Sequence, residues 1–380
     1  MNIEEMTELK DTKELMLDDS SGNVIPIGNI HINELLAVTI EKGASDLHIS
    51  VDLPPIIRVD GELEQTQYQC LSENEAQRLI YSVLSSDQIE NLERTHELDF
   101  CYAVPGVARF RCNVYIERGL IAAALRVIPD IIPSLEQLGM PVVLKELTRK
   151  NSGMILVTGP TGSGKSTTIA SMIDFINGER NVHIMTIEDP IEYLHKHKKC
   201  MVHQRELKND TYSFVSALRA VLREDPDVLL IGEMRDLETI AAAVTLAETG
   251  HLVFATLHTR SAPQTIDRIV DVFPPHQQEQ IKVQLSNTLE AVIAQQLVPR
   301  IGGGRCAITE VMVATSGIRN LIRESKTFQI YSAMETGSQY GMRTMDKGLA
   351  DAYRDGIVTY KDAASRAIDG ENFLRLLRGY

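Results

Sequence analysis

Residues 159–166 read GPTGSGKS, and glycines at this spacing before a lysine and a serine suit one task, wrapping backbone around a phosphate. Gly159, Gly162 and Gly164 let the chain turn without a clashing Cβ, so successive N–H groups and the following helix N-terminus face the anion. Pro160, Thr161 and Ser163 complete the loop. Lys165 reaches toward the β- and γ-phosphates of a nucleoside triphosphate, and the Ser166 hydroxyl, with Thr167 beside it, offers an oxygen to Mg²⁺. MILVT precedes the segment as a strand and TTIASMIDFI follows it as a helix. A glycine-rich turn matching by chance is the rival reading, and that strand-to-helix context weighs against it.

A phosphate loop that hydrolyses its ligand needs a carboxylate near Mg²⁺ and a group that orients water. DVLLIGE, residues 227–233, is an apolar run ending in Glu233, the candidate for holding Mg²⁺ through its water shell. HIMTI is followed by Glu188, Asp189 and Pro190, with Glu192 further on. Glu188 is the candidate for polarising the attacking water, and the roles of Glu188 and Glu233 could be exchanged. LVFAT leads to His258 and Thr259. In open parallel sheets ligands sit beyond the carboxyl ends of the strands, so all three runs deliver side chains to one edge. A carboxylate after a strand is more often a helix cap, but two beside an intact loop favour catalysis. His258 can donate to a γ-phosphate and lose that bond on hydrolysis. A core histidine and a zinc ligand are its rivals, and the sensor role explains its position best.

In VARFRCNVYI, residues 107–116, Phe110, Cys112, Val114 and Ile116 fall on one face of a strand. Arg109, Arg111, Asn113 and Tyr115 fall on the other. Guanidinium groups fixed this way suit phosphate stabilisation, and Arg126 on the next strand could join them. A solvated polar face explains the pattern equally well. His195, His197, Cys200 and His203 also cluster, but strand alternation sends Cys200 and His203 to opposite faces, which disfavours a chelating set.

The elements that must position these residues divide the chain of 380 residues, more than one core usually holds. Residues 1–30 carry seven acidic and two basic residues with little apolar periodicity, as in a flexible leader. Residues 31–129 read as a mixed α+β domain: a helix over INELLAVTIEKG, a hairpin turning at Asp60-Gly61, two further helices, and a meander of three strands. Residues 130–141 lie in the proline-rich stretch PDIIPSLEQLGMP and read as a linker. Over 142–310 short apolar strands alternate with helical segments, the mark of a mostly parallel sheet buried on both faces. Residues 311–380 read as helical.

The fractions, 43% hydrophobic and 24% charged, are ordinary for a soluble chain. No apolar run approaches the ~18 residues of a membrane span, and the acidic start lacks signal-peptide character, so a cytoplasmic location is expected. The five cysteines, Cys70, Cys101, Cys112, Cys200 and Cys306, are scattered without a CxxC pair, which supports reduced thiols. A net charge of −14 argues against broad electrostatic binding to nucleic acid.

The run LREDPDVLLIGEMRD resembles the signature of the secretion ATPases that drive type II secretion and type IV pili. TIEDPIEY is similar to that family's Asp box, and GHLVFATLHTRSA, with His251 and His258 seven apart, to its His box. GASDLHIS and SGIRNLIRE extend the likeness to the retraction, PilT-like, branch over residues 32 to about 365. The resemblance implies a RecA-like P-loop ATPase core preceded by a smaller α+β, PAS-like, N-terminal domain and followed by a helical tail. It implies a homo-hexamer that hydrolyses ATP with Mg²⁺ at subunit boundaries, with Arg109, Arg111 and Arg126 reaching a neighbour's nucleotide and His251 joining His258. It also implies a place at the inner-membrane base of a pilus, working peripherally through a platform protein and leaving room for a paralogous motor. Assembly and type II secretion members usually carry a four-cysteine zinc element after the His box. Here PRIGGGRCAITE has the single Cys306, which favours retraction over assembly. Gly317 stands where the family usually has alanine.

A nucleic-acid motor would need a basic channel with interleaved aromatics, and the acidic balance counts against one. A small G protein would carry an NKxD guanine motif after the loop, and none is present.

Overall fold

The computed structural model describes residues 24–59, 61–128 and 131–378. Two compact units divide at Asp130 and Ile131. The leader expected over 1–30 lies outside the described residues as far as residue 23. Its last residues are tied down: Ile25 N donates to Gln67 O at 2.8 Å, and Ile27 is fully buried.

Among its described residues the first unit has three helices, α1 (Ile32–Glu41), α2 (Glu73–Tyr81) and α3 (Ser86–Thr95). Each starts with a capping box, made by His31 with Glu34, Ser72 with Glu75, and Ser85 with Gln88. They cover an antiparallel sheet of β1 (Asp46–Ile49), β2 (Ile56–Val59), β3 (Glu62–Gln65), β4 (Glu97–Val104), β5 (Ala108–Glu117) and β6 (Leu120–Ile128), in the order β3-β2-β1-β6-β5-β4. One sheet face is apolar: Leu47, Ile57, Phe110, Val114 and Leu125 pack with Leu36, Leu79 and Leu92 of the helices. The register sets Asp46 between Arg58 and Arg126, and Arg126 opposite Arg111, so these share the other face.

The second unit is built on seven strands: β7 (Gly153–Thr158), β8 (His183–Glu188), β9 (Met201–Glu206), β10 (Val228–Ile231), β11 (Leu252–Leu257), β12 (Leu289–Pro299) and β13 (Arg305–Val313). Their order is β13-β12-β7-β11-β10-β8-β9, and every pair except β12–β13 is parallel. The helices are α4 (Val143–Thr148), α5 (Lys165–Glu179), α6 (Phe214–Val221), α7 (Leu237–Glu248), α8 (Ala262–Asp271), α9 (Pro275–Thr288), α10 (Ser316–Arg323), α11 (Ile330–Glu335), α12 (Met345–Arg354), α13 (Tyr360–Ala364) and α14 (Gly370–Arg378). Alternate strand residues feed opposite layers. Leu156, Ile187, Ile231 and Ala255 pack with α6 to α10, whereas Ile155, Ile184, Leu230 and Phe254 pack with α4 and α5. A further cluster joins Val298 and Ile308 to α12, α13 and α14.

Three expectations about boundaries change. Leu135 and Met140, placed in the linker, are buried in the cluster that holds α5, because an apolar pair between prolines still finds a core to cover. The sheet runs past 310 to Val313 in β13, so the tail is helical only from Ser316. β12 is absent from the sequence reading because α9 passes into it with Leu289 as the cap and no intervening turn residue. A short apolar run cannot be told from helix by periodicity alone.

Glu310 on β13 is fully buried and serves two helix starts: Ala262 N donates to Oε1 at 2.7 Å and Met345 N to Oε2 at 3.4 Å. Burial pushes its carboxyl up to about 7 from an ordinary 4.5, against the pull of these donors. The folded chain therefore binds this proton more tightly than the unfolded chain. That contribution is full below the unfolded value and is lost as pH climbs toward the folded one, ~3 kcal/mol at most. Thermal midpoints measured from pH 5 to 8 are expected to fall, and Glu310→Gln to flatten the slope by up to one proton. An unchanged slope would remove Glu310 as its source.

Candidate active site

The loop after β7 closes tightly. Gly159, Gly162 and Gly164 have φ of 144°, 76° and 87°, a region side chains disfavour. A Cβ on Gly159 would lie 2.4 Å from Gln295 O and 2.6 Å from Ser163 Oγ. Gly164 stands at the N-cap of α5 and no side chain caps that helix, so its first-turn N–H groups are left for an anion. Ser163 Oγ is buried without a hydrogen-bond partner. Lys165, 8% exposed, donates from Nζ to Gly159 O at 2.8 Å and Pro160 O at 3.1 Å. Burial draws its pKa down, and the charges of Glu233 and Glu192 oppose that pull. Uncapped N–H groups, a lysine and an orphaned hydroxyl around glycines fit a polyphosphate, and the Ser166 hydroxyl with Glu233 fits the oxygen preference of Mg²⁺.

Strand order lines up the remaining groups. From β7 outward, β11 ends before His258, β10 ends before Gly232 and Glu233, and β8 ends in Glu188. His258 Nε2 lies 2.8 Å from Glu233 Oε1. A carboxylate only accepts, so this nitrogen carries the proton and donates. Arg235 Nε meets the same oxygen at 2.7 Å. Burial would raise the Glu233 carboxyl, but Arg235 and His258 outweigh it and hold the group below its usual range. Thr256 Oγ1 donates to Gly232 O at 2.5 Å, tying the ends of β10 and β11. Gly232 also allows close approach to β8, since a Cβ there would lie 3.1 Å from Glu188 Cα.

Glu188 reaches this edge but turns inward. Thr186 Oγ1 donates to its Oε1 at 2.6 Å and Gln204 Nε2 at 3.2 Å, and burial pushes the carboxyl up to about 7. The carboxylates whose charge bears on Lys165 are Glu233 and Glu192. Tyr193 Oη lies 3.0 Å from Thr167 Oγ1, so the chain after Glu188 folds over the first turn of α5. His251 does not join His258. It precedes β11 at the opposite end, six strand residues or about 20 Å away, with Nδ1 3.0 Å from Leu246 O. In the first unit Arg126 is committed to Asp46, with Nε 2.7 Å from Oδ1, while Arg111 is exposed on the same face. His203 Nδ1 lies 2.9 Å from His183 Nε2, a pairing the sequence reading did not name.

Gln295 was also missed. It is 2% exposed; its Nε2 donates to Ser163 O at 2.8 Å and its Oε1 accepts from Thr168 Oγ1 at 2.8 Å. No local motif marks it, because it lies in the strand that periodicity did not reveal. A groove of about 520 Å³ opens beside it, walled by Leu138, Thr167, Leu297, Arg300 and Arg305.

A buried parallel sheet with a phosphate loop at one strand end, and a histidine and a carboxylate at the next two, defines a P-loop nucleotide hydrolase with a RecA-like core. The family model described as "Type II/IV secretion system protein" matches residues 24–303, and the chain belongs to that family. It is 50% identical over 342 residues to the type IV pilus retractation ATPase PilT of Pseudomonas aeruginosa, covering 90% of this chain and 99% of that one. It is 47% identical over 319 residues to a twitching motility protein of Neisseria gonorrhoeae, covering 84% and 85%. The crystal structure of the pilus retraction motor PilT with bound ADP matches with a TM-score of 0.87 and 50% identity, covering 91% of this chain and 100% of that one. Among the described residues no helix is long and apolar enough to cross a membrane.

Proposed function

We propose that this chain is a hexameric ATP-hydrolysing motor that powers retraction of a type IV pilus. The observation that carries this is the complete phosphate loop standing beside the Glu233–His258 pair, in a chain half identical over nearly all its length to a pilus retraction ATPase. Lys165 exchanges the carbonyls of Gly159 and Pro160 for the β- and γ-phosphates. The glycine loop and the start of α5 donate N–H groups to the same anion, and the groove beside Thr167 takes the nucleoside. Ser166 and, through water, Glu233 would hold Mg²⁺, which would supply neutralisation of charge on the phosphate oxygens.

Glu192, next to the Tyr193 that meets Thr167 on α5, orients the attacking water. Glu188 supports that segment from below through Thr186 and Gln204. His258 reports the state of the site: its Nε2–H goes to Glu233 or to a γ-phosphate, and hydrolysis returns it to Glu233. Arg111 and Arg109 act on the nucleotide of a neighbouring subunit, with Arg126 anchored by Asp46 beside them. The motor works at the cytoplasmic base of the pilus against an inner-membrane platform protein, and a paralogous motor can share the load.

Deleting the gene and counting surface filaments tests the direction of work. A retraction motor predicts more pili and lost twitching. Bald cells would indicate assembly and overturn the proposal.

A further inference from the structure

We infer that Gln295 is a positioning residue that sets the phosphate loop into its anion-receiving form from the neighbouring strand. The inference rests on the nucleotide reading of the loop given above. β12 runs parallel to β7 with Ala294 opposite Thr158, so Gln295 stands level with Gly159, the first residue of the loop. Its side-chain amide is buried and spent at both ends, Nε2 to Ser163 O and Oε1 from Thr168 Oγ1, each at 2.8 Å. The amide orientation follows from the partners, because a flipped group would set its oxygen against the Ser163 carbonyl.

The consequence lies in the peptide between Ser163 and Gly164. A trans peptide is planar and points its C=O and N–H in opposite directions. Pinning Ser163 O toward β12 therefore turns the Gly164 N–H away from β12, toward the mouth of the loop. Thr168, in the first turn of α5, fixes the other end of the same amide, so loop and helix start are held as one body. Gly164 is required for this approach, since a Cβ there would lie 2.8 Å from Gln295 Nε2. Without Gln295 the Ser163–Gly164 peptide is free to rotate, and a donor to the phosphates is lost for part of the time. Gln295 touches no phosphate itself.

The test compares ADP affinity in the full chain, by fluorescence of a labelled ADP, with the thermal midpoint recorded for each variant. Gln295→Met keeps the volume and removes both hydrogen bonds, and it is expected to weaken ADP about tenfold. Gln295→Glu sets a carboxylate oxygen against Ser163 O and is expected to weaken it further. Thr168→Val removes one bond and gives a loss of about threefold, which Thr168→Ser restores. Across a titration of ATP, kcat in Gln295→Met falls less than KM rises, a split that general loosening of the fold would not produce. Folded Gln295 variants that bind ADP within about twofold of wild type would overturn the inference. Should both Gln295 variants fail to fold, Thr168→Val binding ADP as wild type does would overturn it instead. Wild-type chain that bound no ADP would sink the nucleotide reading itself, a different failure.

Discussion

Lys165→Ala is expected to lower ATP turnover by about 10³-fold or more while leaving the fold intact. The lysine is the only ammonium that the loop itself supplies, and the structure holds it in place. Nζ donates to two loop carbonyls at 2.8 and 3.1 Å, with the charges of Glu233 and Glu192 acting on it. Alanine removes the charge together with its buried stem and leaves the carbonyls of Gly159 and Pro160 without that donor. Initial rates with saturating Mg-ATP measure the effect, and the thermal midpoint controls for folding. ATPase activity that survives in a folded Lys165→Ala chain would refute the assignment of the loop.

The second large effect separates two neighbouring carboxylates. Glu192→Gln is expected to reduce kcat by about 10²–10⁴-fold, the range for removing a general base or water-orienting group. Glu188→Gln is expected to reduce it by only about tenfold. Glu188 is occupied by Thr186 and Gln204 and pushed up to about 7 by burial, so it holds the segment in place. Glu192 acts on Lys165 and precedes Tyr193, which meets Thr167 on α5. ADP affinity should stay near wild type in both variants, since neither carboxylate contacts the loop backbone. If Glu188→Gln proved the more damaging to kcat, with Glu192→Gln active, the roles would revert to those the strand pattern first suggested.

Strands covered on both faces announce themselves as unbroken apolar runs, and β7, β8, β10 and β11 were legible for that reason. β5 was legible from the alternation of Phe110, Cys112 and Val114 with Arg109, Arg111 and Asn113. β12 was not, because a helix leads directly into it and nothing in Leu289–Pro299 marks the change. The resemblance set His251 beside His258, yet the six residues of β11 lie between them and carry the two to opposite ends of that strand. Arg126 looked able to join Arg109 and Arg111 on the nucleotide, but its partner Asp46 lies 80 residues away in sequence, beyond any local pattern.

By itself the sequence determined that this chain grips a phosphate at the mouth of a buried parallel sheet. Wrapping an anion is a property of consecutive backbone angles, and eight adjacent residues suffice to encode them. Only the tertiary structure decided that Thr186 and Gln204 hold Glu188, that His258 donates to Glu233, and that Gln295 meets a loop 132 residues before it. Those relations depend on strand order and register, which bring distant residues within hydrogen-bonding distance and leave no trace in local spacing.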